Sequence, residues 1–305
     1  MAATTLRGAA LVRLQYSGRR VYAALAGIAA LLGAGCGAAM RHLPELATAE
    51  TPQVEGFDDH GWALTLLENV SQGCVNYDHL RAHPEPLLAF LAQIERIGPR
   101  THPEAFATRA SVLTYYVNAY NACALRAVLD AGVPESMYEL GRASPELRFS
   151  FVVEGRRVTL ADLRRAAREA AGTDARIEFC LCEPAIGAAP LPSTPLRPDG
   201  LDAQLDAIAR TALARDAVLR FDHARERILV ALFVHHRREA LIDGYRRRMG
   251  TSHGTLVNVL NLLTDEAVRA RLASAVGYEI VPMPFDRRLN ACVPEPAPSP
   301  AVDRN

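Results

Sequence analysis

The sequence contains no lysine, and all 34 of its basic residues are arginine. Together with the alanine-rich runs, this absence indicates a bias in base composition rather than selection for arginine. Selection for bidentate contacts to anions would require arginines clustered on one face of the protein. One dense run occurs, at residues 245–249 (YRRRM). We interpret this run as the solvated end of a helix.

The chain also lacks an excess of either charge. Its 34 acidic residues balance the 34 basic ones, so composition gives no electrostatic reason to expect a nucleic-acid partner. Cys180 and Cys182 have no second cysteine pair, and the histidines have no spacing typical of a metal site. We therefore predict neither a metal nor a cofactor. Without internal repeats, 305 residues suffice for one large domain or two small ones.

A charge-free stretch at residues 21–40 follows a basic N-terminal region that contains four arginines. This order is typical of a secretory signal or an uncleaved membrane anchor. Within the stretch, LLGAGC resembles a bacterial lipoprotein site with lipidation at Cys36, although Gly33 stands where an aliphatic residue is usual. A lipoprotein, a single-pass helix and a cleaved signal stay open. Each exports the rest of the chain, so we expect a cell-envelope protein whose domain lies outside the cytoplasm and which meets the membrane through an N-terminal lipid or helix.

Export changes how the cysteines are interpreted, because disulfides persist in oxidising compartments. With Cys36 set aside, an odd number of cysteines remains: Cys74, Cys123, Cys180, Cys182 and Cys292. At least one is then free or pairs between chains. Cys123 falls in the middle of an apolar helix and is predicted to be a core residue.

The hydrophobic patterning predicts an α+β fold, a predominantly helical single domain with a small antiparallel β-sheet. A long central helix is expected from Pro103 through Asp130, a hairpin that turns at Glu154 and Gly155, and a strand at residues 175–183 (ARIEFCLCE). The predicted segments are a signal or anchor at 1–40, a tether at 41–57, the domain at 58–291 and a disordered tail at 292–305.

The central helix carries two amides inside an apolar run, Asn118 and Asn121 of YYVNAYNACALRAVL. They are three residues apart and therefore project from one helical face. Buried amides need partners, because an unpaired one costs about 1–3 kcal/mol. Two interpretations follow. The amides tie the helix to neighbouring loops through backbone hydrogen bonds, or they orient a substrate or hold an oxyanion.

Three blocks resemble the domain-of-unknown-function 547 family, over residues 60–291. They are GCVNYDHLRAHPEPLLAFLAQI, YYVNAYNACALRAVL, and FVVEGRRVTLADL followed by DARIEFCLCEPAIGAAPLP. The resemblance implies binding residues at positions that match the family pattern, namely Tyr77, Asn118, Tyr120, Asn121 and Arg176. It also implies a pair of cysteines, from which this sequence departs. Either Cys182 or Glu183 aligns with the first cysteine, and Ala188 stands at the second.

The function we expect is a binding or interaction module for a peptide, glycan or partner protein. Its polar cleft would lie between the helix of Asn118 and Asn121 and residues 176–191. The alternative is a thiol-dependent hydrolase or acyl transferase, with Cys182 as nucleophile, His236 as base and Asn118 as a catalytic amide. A histidine within hydrogen-bond reach of the Cys182 sulphur would favour the enzyme, and a buried Cys182 would favour binding.

Overall fold

Helices dominate the part of the chain that the computed structural model describes, residues 41–42, 57–141 and 144–292. The predicted signal or anchor segment with Cys36, most of the tether and the tail beyond residue 292 lie outside the described residues. The predicted α+β class with mostly helical content is confirmed. Among the described residues, no helix is both long and apolar enough to cross a membrane.

The elements alternate between long helices and very short strands. The helices are α1 (His60–Asn69), α2 (Tyr77–Ala82), α3 (Glu85–Arg96), α4 (Arg109–Asp130), α5 (Pro145–Arg148), α6 (Leu160–Ala171), α7 (Leu201–Leu213), α8 (Leu232–His236), α9 (Arg238–Met249), α10 (Leu256–Leu263) and α11 (Glu266–Ser274). The strands are β1 (Arg41–His42), β2 (Val70–Ser71), β3 (Cys74–Val75), β4 (Phe149–Val153), β5 (Arg156–Thr159), β6 (Leu219–Asp222), β7 (Arg227–Val230) and β8 (Glu279–Pro282).

These strands form three small sheets in the described part of the chain, ordered β1-β4-β5, β2-β3 and β6-β7-β8. The predicted hairpin is β4–β5, which pairs antiparallel and turns at Glu154 and Gly155, both with positive φ. The β6–β7 pair is also antiparallel. The last strand, β8, pairs parallel with β7, so this sheet is mixed.

Helix α4 forms the centre of the molecule and is buried on nearly every side. It begins at Arg109 rather than at Pro103, because Thr108 and Ser111 form a reciprocal capping box that starts the helix there. The Pro103–Phe106 segment is a separate 3-10 turn. Helix α4 packs most extensively against α6.

Two apolar clusters make up the core. The first surrounds α4 and takes side chains from α1, α3, β4 and α6. The second lies between the β6-β7-β8 sheet and helices α7, α9, α10 and α11. Ile208 and Phe233 pack against both clusters. The two clusters therefore share a boundary, and the loop after residue 179 begins beside it.

The predicted strand at residues 175–183 is wrong. Ala175–Phe179 form a 3-10 helix, the Asp174 side chain caps it by accepting from the Arg176 amide, and the chain continues as a loop. Apolar and polar residues alternate here in a buried 3-10 helix and loop, not in a pleated strand. Arg176 and Cys182 therefore do not share the face of a strand.

Candidate functional site

Asn118 connects α4 to the loop at residues 180–196, which we name the pinned loop. Its Nδ2 donates to the carbonyl oxygen of Leu196 at 2.8 Å, and its Oδ1 accepts from the Leu196 amide at 3.1 Å. The same oxygen accepts from Trp62 Nε1 at 3.2 Å. The Asn118 side chain thus offers Leu196 one donor and one acceptor. In a sheet, the peptide groups of a neighbouring strand would supply these two bonds.

Asn121 holds the other end of the pinned loop in the same way. Its Nδ2 donates to the carbonyl oxygen of Cys180 at 2.8 Å, and its Oδ1 accepts from the Cys182 amide at 3.0 Å. The side chains of Asn118 and Asn121 are buried. Both amides thus use their hydrogen bonds on loop backbone, which is the geometry of the first interpretation. No open cleft separates α4 from the pinned loop at these two residues.

Cys182, the predicted nucleophile, is buried against this backbone. Its thiol donates toward the carbonyl oxygens of Pro190 at 3.1 Å and Cys180 at 3.4 Å. Burial raises the pKa of the Cys182 thiol well above its ordinary value. The thiol is therefore protonated near neutral pH, and a thiolate is the species that nucleophilic catalysis requires.

His236, the predicted base, lies at the exposed end of α8. No hydrogen bond joins it to Cys182 in the described part of the chain. The Nε2 atom of its neighbour His235 lies 3.4 Å from the Nη1 atom of Arg238. The catalytic assignment of Cys182, His236 and Asn118 stays a prediction, and none of these contacts supplies the base that it requires.

Tyr120 joins a network of partly buried polar side chains that we name the Arg164 network: Tyr120, Tyr138, Glu146, Arg164 and Glu183. Arg164 Nη2 donates to Tyr120 Oη at 2.5 Å and to Glu183 Oε1 at 2.9 Å. Its Nε lies 2.7 Å from Glu146 Oε1, an ion-pair contact without a well-directed N–H bond. Tyr120 donates to Glu146, and Tyr138 donates to Glu183.

The electrostatics of the Arg164 network are those of two carboxylates that share one cation. Burial raises the pKa of Glu146, and nearby Glu183 raises it further against the opposing effect of Arg164. Burial and the adjacent Glu183 also raise the pKa of Tyr138. A carboxyl group whose pKa is raised by burial and by a second carboxylate holds its proton more readily than an ordinary one. Glu183 belongs to the pinned loop, so the network borders that loop.

Tyr77, another predicted binding residue, has the surroundings of a core residue. It is buried, and its hydroxyl donates to Asn290 Oδ1 at 2.8 Å. The C-terminal segment runs beside it, with a disulfide between Cys74 and Cys292. Cys292, predicted as the first tail residue, is thus part of the folded structure. The remaining described cysteines, Cys123, Cys180 and Cys182, are free and buried, as predicted for Cys123.

A groove of about 560 Å³ opens on the far side of the pinned loop, and we name it the loop groove. One wall is the proline-rich end of the loop and the other is α7. Its lining residues are Gln72, Gly73, Pro190, Leu191, Pro192, Ser193, Thr194, Ala207, Ile208, Thr211 and Arg215. Leu191 is buried and Ile208 half-buried, whereas Ser193, Thr194 and Thr211 are exposed. The groove thus has an apolar base and a hydroxyl-bearing rim.

Gly73 sets how closely the β2–β3 turn approaches the pinned loop. Its φ is +75°, and a Cβ atom there would lie 2.4 Å from both the Pro190 Cβ and the Arg215 Nη1. Arg215 in turn donates to the carbonyl oxygen of Gln72. Only glycine permits this conformation and this contact at the end of the loop groove.

Arg176, the last predicted binding residue, lies at the start of the 3-10 helix and gathers three carboxylates. It contacts Asp174, Asp202 and Asp206, each at 2.6 Å. Arg248 reaches the same Asp206 at 2.7 Å. Arg176 lines a second, smaller pocket that shares no lining residue with the loop groove. The five predicted binding residues are therefore not brought together in one cleft.

The possible metal ligands do not cluster in the described part of the chain. The described residues contain no group of three or more His, Cys, Asp or Glu side chains that could hold a metal ion. The His79 and His83 ring centroids lie 4.7 Å apart with the rings tilted by 45°, and His79 Nδ1 lies 2.9 Å from Asn69 Oδ1.

These observations define a mostly helical α+β domain whose central helix fixes a proline-rich loop. Residues 105–211, which span α4 to α7 and include the whole pinned loop, match the model of the family described as Protein of unknown function, DUF547. The resemblance to the domain-of-unknown-function 547 family that was expected from the sequence is confirmed over this segment. Comparison with the curated proteins and with the solved structures finds no match.

Sequence reasoning missed most of the Arg164 network. Tyr138, Glu146 and Arg164 carry no local signal, because their partners lie 18 to 45 residues away in the chain. Glu183 offered one signal, since it stands where a cysteine of the family can be aligned. The loop groove was also missed, because no sequence pattern related the proline-rich loop to the predicted site residues.

Proposed function

We propose that the protein is a binding module of the cell envelope that holds a short extended peptide in the loop groove. The observation that carries this proposal is the construction of the wall: Asn118 and Asn121 hold the loop at both ends through paired backbone hydrogen bonds. A wall that is fixed before binding loses little conformational entropy when the ligand arrives. The groove is therefore pre-organised on the side that a peptide would contact.

The dimensions and lining of the groove suit a peptide. Its volume of about 560 Å³ lies within the roughly 300–1,000 Å³ of known ligand pockets. Leu191 and Ile208 offer apolar surface for alternate side chains. The hydroxyls of Ser193, Thr194 and Thr211 can each donate to or accept from a peptide backbone.

The same lining disfavours two other ligand classes. None of the described groove residues is aromatic, so a sugar ring would find no flat apolar face to stack on. Arg215 is the one basic residue of the lining, and it already donates to Gln72. Burial lowers the pKa of Arg215, but the guanidinium stays charged at neutral pH, so its existing hydrogen bond is what limits its use for an acidic ligand. We therefore expect peptides with neutral side chains rather than glycans or acidic peptides.

The location outside the cytoplasm is part of this proposal. The basic and apolar N-terminal sequence supports it, with an anchor through a lipid on Cys36 or through a helix. The Cys74–Cys292 disulfide supports it as well, because such bonds persist in oxidising compartments. In intact cells, trapping of free thiols should recover Cys74 and Cys292 in the oxidised form. Recovery of both as free thiols would argue for a reducing compartment.

A displayed library of random peptides, selected against the full chain, tests the binding proposal. The diagnostic variant is Ala207→Arg, which places a long charged side chain on the exposed α7 wall of the groove. The control is Ala203→Arg, the same change one helical turn earlier, at an exposed position that does not line the groove. We expect selected peptides to bind the wild type and Ala203→Arg with similar affinity, and Ala207→Arg at least about tenfold more weakly.

Two results would contradict the proposal. One is a selection that enriches no peptide for the wild type over repeated rounds. The other is a set of enriched peptides whose affinity is the same for Ala207→Arg and Ala203→Arg, which would locate binding elsewhere on the surface. The melting temperatures of both variants are measured to check that they are folded. We expect both to be folded, because each changes only an exposed side chain.

A further inference from the structure

A second pocket, of about 220 Å³, lies between α9, α10 and the start of the 3-10 helix; we name it the Arg247 pocket. Its base is apolar and is formed by Leu241, Val259, Leu262 and Leu263. Its volume is below the roughly 300–1,000 Å³ of pockets that take drug-sized ligands. A space of this size holds one large side chain or a short hydrocarbon group.

Gly244 is the reason that this space is open. It lies in the interior of α9 and lines the pocket. A Cβ atom there would meet only the Thr173 carbonyl oxygen, at an ordinary contact distance of 3.5 Å. Glycine inside a helix costs about 1 kcal/mol relative to alanine. Since no close contact requires glycine here, its clearest consequence is the empty volume above the apolar base.

The charged residues that line the pocket are three arginines, Arg176, Arg247 and Arg248, and two aspartates, Asp174 and Asp202. Asp174, Asp202 and Asp206 each contact Arg176, and Asp206 also pairs with Arg248. These three aspartates are therefore all taken up by two arginines.

Arg247 is the exception. Within the described residues its guanidinium makes one hydrogen bond, from Nη2 to the Thr173 carbonyl oxygen at 3.2 Å, and has no carboxylate partner. A guanidinium has five N–H donors in a fork that fits a carboxylate, so Arg247 retains donors for one. The dense YRRRM run, interpreted from sequence as a solvated helix end, thus contributes a cation beside an apolar cavity.

We propose that the Arg247 pocket binds an apolar carboxylate: the hydrocarbon part on the leucine and valine base, and the carboxylate on the Arg247 guanidinium. This chemistry is shared by the C-terminal residue of a peptide ending in leucine and by a free branched carboxylic acid. The site is separate from the loop groove, with which it shares no lining residue. The two proposals can therefore fail independently.

Calorimetric titration of the full chain with N-acetyl-leucine tests this proposal. N-acetyl-leucine amide has the same hydrocarbon group without the carboxylate, and acetate has the carboxylate without the hydrocarbon. We expect N-acetyl-leucine to bind at least about tenfold more tightly than either, because a charge-assisted pair and apolar burial each contribute. Equal binding of the amide, or of acetate, would overturn the proposal.

Substitutions at two pocket residues, Arg247 and Gly244, locate the binding, and one at Arg246 is the control. Arg247→Gln should weaken N-acetyl-leucine about tenfold or more, whereas Arg246→Gln should not, because Arg246 lies outside the pocket lining and pairs with Asp243. Gly244→Leu should abolish binding by filling the cavity. Gly244→Ala should weaken binding while raising the melting temperature, which separates loss of the site from loss of the fold. Unchanged affinity in Arg247→Gln and Gly244→Ala would contradict the site.

A last comparison distinguishes the two sources of the ligand. A tripeptide that ends in leucine and the free acid 4-methylpentanoate are titrated against the same protein. Tighter binding of the tripeptide indicates recognition of a peptide C-terminus, and tighter binding of the free acid indicates a small metabolite. Failure of both to compete with N-acetyl-leucine would overturn the assignment of this pocket.

Discussion

The side-chain amide of Asn121 pairs with the backbone on both sides of Leu181: it donates to Cys180 at 2.8 Å and accepts from Cys182 at 3.0 Å. Asn118 makes an equivalent pair of bonds with the carbonyl and the amide of a single residue, Leu196. The two asparagines of one helical face thus supply the loop backbone with the hydrogen bonds that a neighbouring strand would otherwise make. This relationship explains why a core helix carries amides, and it links that helix to the wall of the loop groove.

Replacement of Asn121 by Asp should destabilise the protein by at least about 2 kcal/mol at pH 7. The change retains the acceptor for Cys182 but removes the donor to the buried Cys180 carbonyl and adds a buried charge. Equilibrium urea unfolding measures this difference. Asn261→Asp is the control, since Asn261 makes no side-chain hydrogen bond among the described residues, and should change stability by about 0.5 kcal/mol or less. Equal losses in both variants would remove the special role of Asn121.

The Cys182 thiol should resist alkylation in the folded protein between pH 6 and 8.5. Burial raises its pKa, so the reactive thiolate is scarce and shielded from the reagent. Peptide mapping by mass spectrometry after iodoacetamide treatment measures the labelling, with unfolded protein as the positive control. A labelling rate that levels off below about pH 7, and that is lost in His236→Ala, would instead support the thiol-enzyme alternative.

The contribution of Asp206 to stability should be constant near neutral pH and should change with pH only under acidic conditions. Hydrogen bonds from Arg248, followed by those from Arg176, lower the pKa of Asp206 from 3.8 to about 2. The unfolded chain takes up this proton near pH 4, whereas the folded chain does so near pH 2. The stabilisation is therefore complete above about pH 4 and is lost as the pH falls toward 2.

Urea midpoints measured from pH 5 to pH 2 test this dependence. The midpoint of wild type should fall more steeply in this range than that of Asp206→Asn. The control, Asp216→Asn, alters an exposed aspartate whose closest arginine contact is 3.8 Å. It should retain the wild-type slope. Parallel curves for wild type and Asp206→Asn would show that the Arg248 and Arg176 contacts do not lower the pKa of this carboxyl group.

Much of the fold follows from local patterns in the sequence. The central helix and the hairpin at Glu154 and Gly155 were predicted from hydrophobic spacing and turn chemistry. The start of the central helix was misplaced because Pro103 opens a separate 3-10 turn. The alternation of residue types at 175–183 predicts a strand, but the backbone at Cys180 and Cys182 pairs with the Asn121 side chain and not with a second strand.

The candidate site was less predictable, since it depends on contacts between distant residues. Glu146 and Glu183 both contact Arg164, yet no spacing rule relates these three positions. The pairing of Cys74 with Cys292, 218 residues apart, could not be deduced from an odd number of cysteines. The amide signature did point to the correct helix, but it could not show that both amides face loop backbone.

Amide hydrogen exchange of Cys182 and Leu196, measured by NMR on the folded protein, tests the central claim most directly. If Asn118 and Asn121 hold the pinned loop, both amides should exchange as slowly as those of α4, although they lie outside helices and sheets. Protection at Cys182 should be lost selectively in Asn121→Ala. Exchange of both wild-type amides at the rate of an exposed loop would contradict the account, because the loop groove would then have no fixed wall.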